Sequence, residues 1–303
     1  MCFIEKGMTF ERLDEHLSNA QRVGVSPDSG RFILLSDAHK WDRTDVDRFN
    51  SVEQVYLSAL KYYNEQDFSL VLLGDIEEGA GCNLSDVVNH YPRTFEAEAK
   101  FLPNRYWRVY GNHDHDWKKK EVRALLDRAM DSQVEVYPAL VLGDNVMVVH
   151  GHEGDFFSDE VRGVIQIALR LFKKLFERLK RHSINTAENS RVRDRRAKLL
   201  YKWGKRNGML IIAGHTHAAY FESISLTRLN SKLVRHLEHK VKAMPQSRLL
   251  AGERENLERK KRFMEVHDRF WKKNRSLPRG SLPLYFNTGC CKYDDGLTGI
   301  EIA

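Results

Sequence analysis

Five apolar runs in this chain each stop at Asp, Asn or His, four of them with Gly or Ser at the junction. RFILLS ends at Asp37, SLVLLG at Asp75 and RYWRVYG at Asn112-His113-Asp114. NVMVV ends at His150-Gly151-His152, and MLIIAG at His215-Thr216-His217. A short continuous apolar run bounded by turn residues reads as a buried strand. In α/β folds, ligand groups gather at the carboxyl ends of strands. Five strand ends that carry metal-capable side chains therefore point to one shared site, and to a layered α/β protein that assembles it.

The intervening segments fit that expectation. An amphipathic stretch runs from Phe49 to Gln66, a helical region covers 83–101, and a further helix is expected over 117–130. Strands then succeed one another as VEVY, ALVLG and NVMVV, with a turn at Gly143-Asp144-Asn145, and PLYFNTGC and GLTGIEIA read as closing strands. Strand–helix alternation followed by successive strands predicts helices layered on sheets. Asn287-Thr288-Gly289 is expected to turn the chain at the end of a sheet, with polar contact to the site as the alternative. The terminal IEIA reads as a buried last strand or as a chain cut short.

The residue types at the strand ends favour particular metals. Asp37-Ala38-His39 sets a carboxylate and an imidazole two residues apart, and Asp75 is followed by Glu78. Asn112 offers an amide oxygen, and His113, His150, His215 and His217 offer imidazoles. Such a mixture suits manganese, iron, zinc or nickel better than calcium. The donors outnumber what one tetrahedral ion needs, and two ions sharing a carboxylate would use them all. Glycines beside the ligands permit tight turns and close backbone approach. Taken singly, the motifs are weak: a lone DxH is more often turn chemistry, and a lone GNHD is a plausible turn with Asp114 solvated. Their joint order, each after an apolar run, is what favours a metal site.

In that order, Asp37-x-His39, Gly74-Asp75-x-x-Glu78, Gly111-Asn112-His113-Asp114, His150-Gly151 and Gly214-His215-x-His217 resemble the five blocks of calcineurin-like metallophosphoesterases. The resemblance spans residues 37–217. It implies a four-layer α/β/β/α sandwich with basic helical insertions. It also implies two divalent ions, manganese first, with iron, zinc, nickel and magnesium as alternatives. Asp37, His39 and His217 would hold one ion, Asn112, His150 and His215 the other, and Asp75 would bridge them. His113 would protonate the leaving-group oxygen or stabilise the phosphoryl oxygens, with Asp114 orienting it and Glu78 supporting from behind. A hydroxide between the ions would attack phosphorus in line, which makes the protein a metal-dependent hydrolase of phosphate esters or anhydrides. His152 stays open between a substrate contact, a pair with Asp155 and a solvated loop position.

Charge points toward the substrate. The net charge is +7, but segment 156–208 carries 15 Lys and Arg against 5 Asp and Glu, and segment 226–280 carries 16 against 6. The expected organisation is one metallophosphoesterase domain over 1–303, with a helical cap at 156–208 and a second basic helical insertion at 226–280. Val161, Val164, Ile165, Ala168 and Phe172 recur at helical spacing in the first block. Both blocks follow ligand blocks, so both are expected at the mouth of the site, where they attract an anionic phosphorylated substrate.

Three readings follow for these blocks. A cap over a nucleotide-containing or lipid-linked pyrophosphate resembles that of UDP-2,3-diacylglucosamine hydrolases. A basic amphipathic face suits a membrane surface. A nucleic-acid grip would make the protein a nuclease, with Trp203, Phe270 and Trp271 stacking on bases. A solvated hairpin or an oligomer contact is the plainer alternative. A serine/threonine protein phosphatase needs further arginines at the phosphate, for which Arg93 and Arg105 are the nearest candidates. A non-catalytic metal-binding scaffold is disfavoured by the complete ligand set and His113.

Cys2, Cys82, Cys290 and Cys291 form no CxxC pair, so reduced thiols are expected rather than disulfides or a cysteine zinc site. No apolar run reaches the roughly 20 residues of a membrane span, and the first residues lack an apolar signal core. The expectation is a cytoplasmic protein, with peripheral membrane contact as a variant.

Overall fold

The computed structural model describes residues 2–25, 30–154, 190–221, 285–292 and 296–303. The segment 226–280, expected to be a basic helical insertion, lies outside the described residues, as do 156–189 of the first basic block and Asp155.

Helix α1 (Cys2–Ser18) and strand β1 (Gln21–Val23) precede the first ligand-bearing strand, β2 (Phe32–Leu35). Helix α2 (Phe49–Glu65) leads to β3 (Ser69–Leu73). Helices α3 (Leu84–His90) and α4 (Pro92–Ala99) lead to β4 (Tyr106–Val109). A short 3-10 turn at His115–Lys118 and α5 (Lys120–Ala129) come next. Then follow β5 (Val136–Tyr137), β6 (Leu140–Leu142) and β7 (Val146–Val148). Helix α6 (Ser190–Asn207), β8 (Leu210–Ala213), β9 (Tyr220–Phe221), β10 (Tyr285–Asn287) and β11 (Ile300–Ile302) complete the described elements.

Two sheets result. In the first, β2, β3, β4 and β5 pair in parallel, and β11 adds antiparallel outside β2. Its register sets Leu35 beside Leu72 and Leu73 beside Val109, so the residues after β2, β3 and β4 leave from one edge. The second sheet has the order β1-β6-β7-β8-β10-β9, with β7, β8 and β10 parallel. The residues after β7 and β8 again leave together, because Val148 pairs with Ile212.

Burial explains the layering. On α2, Phe49, Val52, Tyr56 and Leu60 follow helical spacing and pack on Ile33, Leu35, Leu70 and Leu72 of the first sheet. Leu13 of α1 and Leu200 and Trp203 of α6 pack on Val141, Met147 and Ile211 of the second. The alternate residues Leu34, Val71, Leu73, Leu140, Val148 and Ile212 are buried as well, so both sheets are covered on both faces. This is the expected α/β/β/α sandwich.

Several local expectations change. The 83–101 region breaks at Tyr91, because Pro92 takes the first position of α4 and supplies no N–H to continue α3. The expected 117–130 helix begins instead as the 3-10 turn and becomes α-helical at Lys120. Helix α1 and strand β1 add to the expected elements. Trp203 is fully buried, and its Nε1–H donates to Asp14 Oδ1 at 2.8 Å, so it is core and does not stack on bases. Phe270 and Trp271 lie outside the described residues. Cys82, Cys290 and Cys291 are buried and form no disulfide. Among the described residues, no helix is long and apolar enough to cross a membrane.

Candidate metal centre

The ligand loops leave their strands through backbone conformations that L-residues avoid. Asp37 (φ 54°), His39 (49°), Asp75 (52°), His215 (65°) and His217 (53°) are all left-handed. They make five of the eight non-glycine residues with positive φ among those described. Such conformations cost about 1–3 kcal/mol each and persist where surroundings over-determine them, often at functional sites. Here the surroundings are explicit. Asp37 N donates to Gly74 O at 3.1 Å, His39 N to Asp75 O at 2.9 Å and His215 N to Asp37 Oδ2 at 2.9 Å. A Cβ on Gly111 would run into the Asp75 carboxylate, so only glycine lets these loops cross.

The side chains meet in three groups. Asp37, His39 and His217 bring one donor atom each within 4.8 Å of one another, Asp75, His150 and His215 do the same, and His39, Asp75 and His113 form a third group that shares a residue with each. His39 Nε2 lies 3.1 Å from His217 Nε2, which is 3.1 Å from Asp37 Oδ1. His150 Nε2 lies 3.1 Å from Asp75 Oδ2. All but His113 and His217 are buried.

Outer contacts decide which atoms face inward. His150 Nδ1 donates to Leu73 O at 2.7 Å, which leaves Nε2 to face inward toward Asp75. His39 Nδ1 sits 2.9 Å from Glu78 Oε2, with the same result. Asp37 Oδ1 and Asn112 Oδ1 are buried acceptors with no hydrogen-bond partner. A buried acceptor left so costs about 1–3 kcal/mol. Oxygen acceptors of this kind fit cations.

Charge within the group follows its geometry. Burial pushes the Asp37 carboxyl up, but His217 and His39 beside it win and hold it well below the usual carboxylate range. Asp75 behaves likewise under the influence of His150 and His113. Burial opposes protonation of His150, yet Asp75 carries its pKa up to about 10. His217 is pushed down to about 3 by burial and the Lys292 charge, against the pull of Asp37.

His113 joins this group, its ring 4.8 Å from that of His39 and its N–H donating to Asp75 Oδ1 at 2.7 Å. The carboxylate at His113 Nδ1 is that of Glu78 and not that of the neighbouring Asp114. Glu78 Oε1 lies 2.6 Å from His113 Nδ1 while its Oε2 meets His39. Asp114 turns inward, where Oδ1 accepts from Gly111 N at 2.6 Å and Oδ2 from Ile76 N at 2.9 Å. Its carboxylate thus ties the β3 and β4 exit loops together. Behind it, Lys40, Glu77, Glu98 and Arg108 form a fully buried charge network, with Lys40 Nζ 2.7 Å from Glu98 and 3.1 Å from Glu77.

His152 is 4% exposed, its ring 5.3 Å from that of His150, so it is no solvated loop residue. Burial holds its pKa well below the ordinary value. Asn287-Thr288 does more than turn the chain. Asn287 Nδ2 donates to Gly214 O at 2.6 Å, and Thr288 Oγ1 meets Ser36 Oγ at 2.6 Å. Ser36 in turn donates to Asp37 Oδ2. Arg105 sits before β4, at the edge away from the ligands, and donates to Phe68 O and Asn64 Oδ1. Arg93 lines a groove with Leu57, Asn64 and Lys100.

A model of the calcineurin-like phosphoesterase family matches residues 30–219. No curated protein matches the chain.

Proposed function

The chain belongs to the calcineurin-like phosphoesterase family, and we propose that it hydrolyses a phosphate ester or pyrophosphate bond of a nucleotide- or lipid-linked anionic substrate. The observation that carries this reading is the convergence of inward metal-capable atoms, with His39 Nε2 and His217 Nε2 facing each other at 3.1 Å. Asp37, His39 and His217 would hold one divalent ion, Asn112, His150 and His215 the other, and Asp75 would touch both. Manganese is our first assignment, since oxygen and imidazole donors suit it, and iron, zinc, nickel and magnesium follow. When bound, such ions supply an acidified water and positive charge at the phosphoryl oxygens.

The chain's own groups do the rest. Glu78 holds His113 through Nδ1, which leaves Nε2 to hand a proton to the leaving-group oxygen. Asp75 accepts the His113 N–H, so the shared ligand and the proton donor sit on one hydrogen-bonded frame. The basic blocks 156–208 and 226–280, as a cap and a second insertion, would draw in a polyanionic substrate. A lipid-linked nucleotide pyrophosphate fits that charge. Nuclease action loses its Trp203 support to the core. Protein-phosphatase action loses Arg105, which is bound at the far edge of the sheet.

The test is metal-dependent hydrolysis of p-nitrophenyl phosphate and its bis-ester by wild-type and Asp75→Asn protein. Turnover that needs both Mn²⁺ and Asp75 supports the reading, and the preferred ester separates monoesterase from diesterase chemistry. Two bound ions with no turnover on these esters or on a nucleotide pyrophosphate would favour the scaffold reading.

A further inference from the structure

We infer that α1 and α6 together set the geometry of one half of the metal centre, with Arg196 as the positioning residue for the loop that follows His150. The inference rests on the two-metal reading above.

Arg196, on α6, is 2% exposed. Its Nη2 donates to Gly151 O at 3.2 Å and to Glu153 O at 3.1 Å, while Nη1 reaches Thr9 Oγ1 of α1 at 3.5 Å. Its Nε is buried without a hydrogen-bond partner. One guanidinium therefore spans two carbonyls of the loop and the N-terminal helix. Burying that charge is costly, and the carbonyls it serves are those that flank His152. A rigid planar fork can hold two carbonyls in fixed relation, which an ammonium cannot.

Helix α1 closes the same loop from its other side. A Cβ on Gly154 (φ +72°) would lie 2.5 Å from Thr9 N, so helix backbone and loop backbone are in direct contact. His16 Nδ1 lies 3.6 Å from Glu153 Oε1, and both groups are largely buried. The two helices are also joined to each other, since Trp203 Nε1 and Arg206 Nη2 both donate to Asp14 Oδ1 at 2.8 Å. Helix α1 precedes the family-matched residues 30–219, so this contact adds to the shared core of the fold.

The clamp is one-sided. Gly151 directly follows His150, whose carbonyl accepts from Gly214 N at 2.9 Å and so couples it to the turn that carries His215. Asp37 and His39 come from the first sheet, and Glu78 braces His39 there. Arg196 should therefore tune the ion served by His150 and His215 more than the other, which takes only His217 from that turn. A purely structural arginine would weaken both equally.

The experiment is calorimetric titration of Mn²⁺ into metal-free wild-type, Arg196→Gln, Arg196→Lys and Gly154→Ala proteins, with circular dichroism on each. Wild type should bind two ions. Arg196→Gln should weaken one site on the order of 10- to 100-fold and the other far less. Arg196→Lys should recover part of that loss, and Gly154→Ala should reproduce it from the α1 side. Equal weakening of both sites, or no weakening, overturns the inference while leaving the two-metal reading intact. Fewer than two ions on wild type overturns the two-metal reading itself. Should Arg196→Gln fail to fold, the other two variants decide: one-site loss supports the clamp, and two intact sites overturn it.

Discussion

His39 and His217, 178 positions apart in the chain, hold their Nε2 atoms 3.1 Å from each other. His39 presents its Nδ1 to the Glu78 carboxylate, and burial with the Lys292 charge pushes His217 down to about 3. Asp37 Oδ1 lies 3.1 Å from His217 Nε2, so three metal-capable atoms from two sheets converge on one point. Such a group suits a shared cation.

Metal should consequently stabilise the fold. Chelation is expected to lower the unfolding temperature, and Mn²⁺ to restore it in a concentration-dependent way. At 100 times the dissociation constant, one ion contributes about 2.7 kcal/mol. Scanning calorimetry against free Mn²⁺ checks this, and an unfolding temperature indifferent to chelator and metal would contradict it.

Asp75 and His150 should be indispensable to turnover. Asp75→Asn and His150→Ala are each expected to lower kcat by at least about 100-fold, with far-ultraviolet circular dichroism unchanged. Near-normal turnover by both variants with two ions bound would refute the assignment.

Glu78 and Asp114 should separate chemistry from stability. Glu78→Gln loosens His113 and is expected to lower kcat on the order of 100-fold. Asp114→Ala strands the Gly111 and Ile76 N–H groups and the nearby Arg108 charge, 3.6 Å away. Each stranded buried donor costs about 1–3 kcal/mol, so a clear loss of stability is expected. Urea unfolding beside steady-state kinetics distinguishes the two, and a Glu78→Gln protein with wild-type kcat would remove Glu78 from the proton path.

Metal uptake should release protons. In the metal-free chain the Asp75 charge raises His150 to about 10, so at neutral pH a proton occupies the place of the ion. Apparent affinity should rise with pH up to about 10, by as much as tenfold per pH unit for one proton displaced. Stability of the metal-free chain runs the other way. A raised histidine contributes fully below its unfolded value of about 6.5, and the contribution fades as pH climbs to about 10. Titrations in buffers of different ionisation heat count the protons, and an affinity independent of pH between 6 and 9 would contradict the prediction.

The ligand residues were legible in the sequence because their signal is local. An apolar run, a glycine and a polar stop lie within ten residues, and the strand period and turn chemistry need nothing from elsewhere. That was enough to pick out Asp37, His39, Asp75, His113, His150, His215 and His217, which the fold brings together, and the layered α/β architecture. Composition also located the basic blocks, though not their partners.

What surrounds those ligands was decided by tertiary structure. Asp114 adjoins His113 in sequence, yet its carboxylate is taken by two backbone N–H groups, while Glu78 reaches His113 from another strand end. Trp203 sits among basic residues but belongs to the core, because burial depends on which face of α6 meets the sheet. Arg196 and Thr9 are 187 residues apart, and no local pattern could announce their contact. Residue type and spacing tell which atoms can bind a metal. Only the packing of distant backbone tells which groups hold those atoms in place, since desolvation and hydrogen bonding act through space and not along the chain.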